Sequence, residues 1–202
     1  MNIAIDASTT RTGVVTFNDD GKIISTFAIT PKDNLHPYLK IKFVVDELKS
    51  HMKESTAMIL EGIFLNTFAS GQHGVVGFET LARLGGSIVN EWLNHHTELP
   101  LILKATESRK SAGVNGQSHK AEIQIFVAEK FKLATEEQLD EFKGLVYAEK
   151  GALLAEEFTK DTYKKHMNII SKHIEDIIGL TEDVADAYIL YCAFMVKKGI
   201  KI

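Results

Sequence analysis

Apolar residues near the start of the chain alternate in short runs between turn residues, and only later do they take up the three-to-four residue spacing of helices. Ile3-Ala4-Ile5 and Gly13-Val14-Val15-Thr16-Phe17 are β-rich, Asn18-Asp19-Asp20-Gly21 supplies a turn, and Lys22 to Ile29 predicts a third strand. From Tyr38 to Met52 the positions Leu39, Phe43, Val44, Leu48 and Met52 recur at helical spacing. Ala57-Met58-Ile59-Leu60-Glu61 predicts a buried strand, and Phe78 to Leu93 a second helix with Leu81, Leu84, Gly85, Ile88 and Trp92 along one face. Leu99 to Leu103 predicts a fifth strand, with Pro100 at its beginning, where a missing N–H is tolerated.

The polar stretch Thr106 to Ser118, containing Gly113 and Gly116, is expected to be the longest loop, followed by a helix from about His119 to Phe131 with Ser118 as its N-cap. Thr135 to Phe158 and Tyr163 to Ile178 predict a helical hairpin, an insertion at about 135–178. Thr181 caps a closing helix that runs to Lys198 and buries Ala185, Ile189, Ala193 and Val196 on one side. Three antiparallel strands followed by α/β crossovers predict an α/β fold: a mixed five-stranded sheet flanked by helices, in one domain spanning 1–202.

Composition narrows the function classes. With 202 residues, 45% of them apolar, 25% charged and only 3 prolines, the chain is suited to a packed core and not to disorder. The single cysteine, Cys192, excludes an internal disulfide framework and a multi-cysteine zinc site, so a reducing, cytoplasmic setting is expected. No apolar run reaches the roughly 18 residues of a membrane span, and Met1 to Asp6 reads as a strand, not a signal peptide, so no membrane partner is expected. A net charge of −4 excludes a uniformly basic nucleic-acid coat but leaves room for a local patch.

The candidate chemistry lies in four acids. Asp6 interrupts the first strand on the same face as Ala4 and Ser8, small neighbours that leave space beside it. Glu61 ends an apolar run and precedes Gly62-Ile63-Phe64-Leu65, a setting in which an unpaired carboxylate costs several kcal/mol and implies a partner cation. Asp183 and Asp186, three apart, share a face of the closing helix near Ala185 and Ala187. Singly, each has an ordinary explanation as a strand end, a turn cap or a helix-dipole partner. Taken together, four converging carboxylates would repel one another unless divalent cations were present, and hard oxygen ligands select Mg2+ or Mn2+ over zinc. Two such ions can activate a water and stabilise the leaving oxygen in a phosphodiester displacement.

In this order, Ile3-Ala4-Ile5-Asp6-Ala7-Ser8-Thr9, Ile59-Leu60-Glu61-Gly62-Ile63-Phe64 and Glu182-Asp183-Val184-Ala185-Asp186-Ala187 resemble the RuvC family of Holliday-junction resolvases, within the ribonuclease H-like superfamily. The resemblance covers most of Met1 to Phe131 and Thr181 to Lys198, and the long hairpin looks more like the phage-encoded branch, which would work in a bacterial host cytoplasm. It implies a Mg2+-dependent crossover-junction endonuclease with Asp6, Glu61, Asp183 and Asp186 as metal ligands. It also implies a homodimer acting on four-way junctions and related branched DNA, and Phe64 at the junction crossover. Lys120, following the polar stretch, resembles the family's active-site lysine.

Lys104, Arg109, Lys110 and Lys120 lie in and around the 106–118 stretch among small residues, a composition suited either to phosphate contact or to an ordinary solvated loop. Lys164 and Lys165 belong to a basic side of the second hairpin helix, which reads as a solvated face or as a guide for DNA. Two other classes share parts of the pattern. One is a non-catalytic branched-DNA-binding or assembly protein of the same fold. The other is an actin-like or sugar-kinase-like ATP-binding protein, suggested by Ile5-Asp6-Ala7-Ser8-Thr9-Thr10 but short of the length that a second nucleotide-clasping domain needs.

Overall fold

The computed structural model describes residues 1–62, 72–155 and 159–200, with the side chains of 72–76 also outside the description. Strands β1 (Asn2–Asp6), β2 (Thr12–Phe17) and β3 (Ile23–Ile29) pair antiparallel, and β4 (Ala57–Glu61) and β5 (Leu101–Leu103) add to β1 in parallel. The order β3-β2-β1-β4-β5 places β1, and Asp6 at its end, in the middle of the mixed five-stranded sheet. Edge strands β3 and β5 expose Ile24 and Ile102, whereas every residue of β2 is buried.

Alternation along the strands divides the core into two layers. Ile3, Ile5, Val14, Met58 and Leu60 face helices α1 (Pro37–Glu54) and α2 (Gln72–Leu93). Ala4, Val15, Phe17, Ile59 and Leu103 face the other way, toward α7 (Glu182–Lys197). Around α7 stand α3 (Ala105–Ala112) and α4 (Lys120–Lys130), and the hairpin of α5 (Glu136–Leu154) and α6 (Lys160–Ile178) packs on α4. Buried Gln124 fastens α4 to the end of the hairpin by donating to the carbonyl oxygens of Ser171 at 3.2 Å and Leu180 at 2.7 Å. Among the described residues, no helix is long and apolar enough to cross a membrane.

Several sequence expectations need correction. The 106–118 stretch is not one loop: Ala105–Ala112 is a helix closed by Gly113 at φ 91°, and buried Ser108 returns its hydroxyl hydrogen bond to its own turn, at 2.9 Å from the Ala105 carbonyl oxygen. Its polar composition hid the helix, because the small residues that pack inward carry little hydrophobic signal. The N-cap of α4 is His119 and not Ser118; the Glu122 carboxylate accepts the His119 backbone N–H at 2.7 Å. On α1 the buried stripe is Ile41, Val44, Leu48 and Met52, while Leu39 and Phe43 are exposed. At about 100° per residue, Phe43 points a quarter turn away from Val44. The closing helix buries every side except its ends, from Val184 to Met195 apart from a partly buried Asp186, because it is enclosed between the sheet and α3 and α4; Val196 is exposed.

The seat of α7 is set by a glycine. A Cβ placed on Gly13 would lie 2.0 Å from the Asp183 carbonyl oxygen, so only a bare backbone lets the first turn of α7 lie directly on β2. At the far end, the Tyr191 hydroxyl donates to the carbonyl oxygen of Gly21 at 2.5 Å. Gly13→Ala is therefore expected to lower stability by about 3 kcal/mol, although alanine is otherwise tolerated in a strand. Urea denaturation of the two proteins checks this; an unchanged or higher midpoint in the variant would contradict the packing.

Candidate active site

Two adjacent parallel strands deliver the first two acids. Ile5 lies opposite Leu60, and Asp6 and Glu61 follow at the same end of the sheet, each on the face that its strand neighbours Ala4 and Ile59 turn toward α7. Gly13 is the antiparallel partner of Asp6, so the turn of α7 that sits on Gly13 arrives directly beside the pair. Thr181 caps that turn, its hydroxyl accepting from the Val184 N–H at 3.2 Å. Asp183 and Asp186 thus come from α7 to a site whose other half belongs to the sheet.

The electrostatics are those of a pocket short of positive charge. Burial, and after it the negative charges of Glu61, Asp186 and Asp183, hold the Asp6 carboxyl well above the usual carboxylate range, against the opposing charge of Arg109. Burial and then Asp186 push Glu61 up to about 7. Burial also raises Asp186 despite Arg109 and Lys120, and raises Asp183 despite Arg11. Each of the four acids is therefore in a place where its charged form lacks solvation.

Arginines supply part of the missing charge. Arg11, in the β1–β2 turn, donates from Nε to Asp183 at 2.6 Å and from Nη1 to Glu175 of α6 at 2.9 Å. Arg109 reaches inward from α3, donating from Nη2 to Asp186 at 3.2 Å and from Nη1 to the Ser118 carbonyl oxygen at 3.3 Å. The sequence reading missed Arg11 and treated Arg109 as a loop residue. A signal was present: the chain has three arginines among its 23 basic residues, and two of them stand here. A chain that covers its surface with lysine and uses arginine sparingly points to sites where a planar, permanently charged fork is needed.

The remaining candidates are more dispersed. Lys120 opens α4, is half exposed, and pairs with Glu182, and its charge also reaches Asp186. Lys104 is the exposed N-cap of α3, and Lys110 is exposed with its stem over Gly116. Lys164 and Lys165 are exposed on α6. Phe64 lies outside the described residues.

With this geometry in view, the fold has counterparts among solved structures. The Thermus thermophilus RuvC structure aligns over 98% of this chain and 96% of its own with a TM-score of 0.52 at 12% identity. T. thermophilus RuvC in complex with a Holliday junction substrate aligns over the same shares, with a TM-score of 0.52 at 9% identity. The fold is RuvC-like. No protein-family model and no curated relative matches the sequence.

Among the described residues, no group of three or more His, Cys, Asp or Glu side chains stands ready in metal-holding geometry. The donor chemistry nevertheless fits a hard divalent ion: the four candidate donors are carboxylates, and burial leaves them in deficit of positive charge. The protonation of Glu61 has a consequence for stability. Its folded value of about 7 lies above the ordinary 4.5, so the native state binds the extra proton. The resulting stabilisation is fully present below about pH 4.5 and is lost as pH rises through about 7, by roughly 3 kcal/mol at most. In chelator, denaturant titrations at pH 5 and pH 8 are expected to show a stability loss in the wild type that Glu61→Gln reduces. Equal pH dependence in the two proteins would contradict this.

Proposed function

We propose that this protein is a structure-selective DNA endonuclease that resolves Holliday junctions and related branched DNA by Mg2+-dependent phosphodiester hydrolysis. One observation carries the reading: β1, β4 and the first turns of α7 bring Asp6, Glu61, Asp183 and Asp186 toward one end of a RuvC-like sheet, where burial disfavours bare carboxylates and bound cations would relieve them. In this reading Asp6, Glu61, Asp183 and Asp186 would hold the ions, with Mn2+ as a possible substitute for Mg2+. A bound pair of such ions supplies an activated water and stabilises the leaving oxygen of the displacement.

The chain's own residues do the rest. Strands β1 and β4 hold Asp6 and Glu61 rigidly, and partial burial keeps bulk water from screening the charges that act on the phosphate. Lys120 stabilises negative charge developing on the phosphate, reached by release from Glu182. Exposed Lys104, Lys110, Lys164 and Lys165, together with the less accessible Arg109, bind backbone phosphates, which fixes register without reading sequence. Phe64 engages the branch point, and a homodimer presents two such sites to paired strands of the junction.

The second reading, a non-catalytic binder of branched DNA, draws on the arginines that already pair with Asp183 and Asp186. A synthetic four-way junction separates the two. With Mg2+ or Mn2+ the wild type is expected to make paired nicks near the crossover, and Asp6→Asn to keep folding and junction binding while losing at least about 100-fold in cleavage rate. Junction binding without cuts in either metal would favour the binder, and wild-type rates in Asp6→Asn would overturn the assignment of Asp6.

A further inference from the structure

The two arginines of the site are held very differently. Arg11 is a brace: its guanidinium makes short bonds to two carboxylates, Asp183 and Glu175, on two helices. Arg109 is loosely satisfied. It has one longer contact to Asp186 at 3.2 Å and one to a backbone carbonyl oxygen at 3.3 Å, and its Nε is buried with no hydrogen-bond partner among the described residues. A buried donor left unpaired is costly, so evolved structural ion pairs ordinarily satisfy it. The charge of Arg109 nonetheless acts on Asp6, Glu61 and Asp186 together, where a divalent ion bound by these residues would act.

From this geometry we propose that Arg109 is a resident counter-cation of the carboxylate pocket, which yields Asp186 to a divalent ion when one binds. The inference rests on the endonuclease reading for its choice of ion. Arg109 is thus a positioning residue: it keeps the acids compatible in one pocket before loading, and it competes with the ion for the same carboxylate. Arg109→Gln should therefore weaken the metal-free protein and strengthen its hold on the ion, opposite effects that a purely structural pair would not produce. Arg109→Lys retains the charge and should resemble the wild type.

The experiment is calorimetric titration of the full chain with Mn2+, without DNA, for the wild type and both variants, alongside thermal denaturation in chelator. Arg109→Gln is expected to bind Mn2+ about tenfold more tightly than the wild type, which corresponds to the loss of one modest ion-pair competitor, and to denature at lower temperature in chelator. Arg109→Lys is expected to stay within about threefold of the wild-type affinity. Equal or weaker Mn2+ binding by Arg109→Gln, or no binding by any of the three proteins, would overturn the proposal. Should Arg109→Gln fail to fold, the wild-type Nε–H resonance of Arg109 in nitrogen-15 NMR decides. A shift that follows Mg2+ addition supports the exchange, and an unmoved resonance at 20 mM Mg2+, roughly the upper end of a useful titration, overturns it. Junction cleavage by the wild type is scored separately. Cleavage with unchanged Mn2+ affinity sinks the exchange alone, and tightened affinity without cleavage sinks the endonuclease reading alone.

Discussion

Like charges gathered out of water are the constraint around which this molecule is arranged. Burial is the first cause that raises the carboxyls of Asp6, Glu61 and Asp186, and after it the negative charges of Glu61, Asp186 and Asp183 act on Asp6 and that of Asp186 acts on Glu61. An uncompensated buried carboxylate costs several kcal/mol, a large part of the 5 to 15 kcal/mol by which a domain of about this size is stable. The fold offsets this cost with two arginines, Arg109 at Asp186 and Arg11 at Asp183. The Arg11 pair is short, whereas Arg109 holds Asp186 by one longer contact and leaves its own Nε without a hydrogen-bond partner among the described residues.

What keeps the acids together is the packing of one helix. α7 is buried from Val184 to Met195, with Asp186 alone partly so, edge-on aromatic contact between Tyr191 and Phe17 locks it to β2, and Gly13 removes the side chain that would hold its first turn off the sheet. The α5–α6 hairpin also takes part. Glu175 on α6 shares Arg11 with Asp183, so the hairpin is wired through one guanidinium to the edge of the site, and Gln124 ties the same hairpin to α4 below Lys120. The hairpin therefore belongs to the electrostatic structure of the pocket and is more than an appended surface.

Much of this was legible in the sequence because hydrophobic periodicity carries it. The five strands, their order of appearance, α1, α2, the hairpin and the closing helix all follow from runs of apolar residues, and Thr181 announces its helix by its hydroxyl. Helix α3 was not legible, since its inward residues are serine and alanine and its outward ones charged, which reads as loop. The exposure of Leu39 and Phe43 was hidden too, because period alone does not say which of two adjacent stripes meets the sheet. Of the site, the acids were visible as carboxylates in apolar surroundings. Their arginine partners were not: Arg11 is 172 positions from Asp183 and Arg109 is 77 from Asp186, and no local pattern spans such distances. Gly13 stood in plain view within a strand, yet its meaning comes from the helix laid on it.

Anomalous X-ray scattering from crystals grown with Mn2+ addresses the central claim most directly. The account predicts manganese peaks among the carboxylate oxygens of Asp6, Glu61, Asp183 and Asp186, in protein that nicks a four-way junction in the same buffer. Junction cleavage by protein whose crystals show those carboxylates without manganese, or manganese bound only elsewhere, would contradict it.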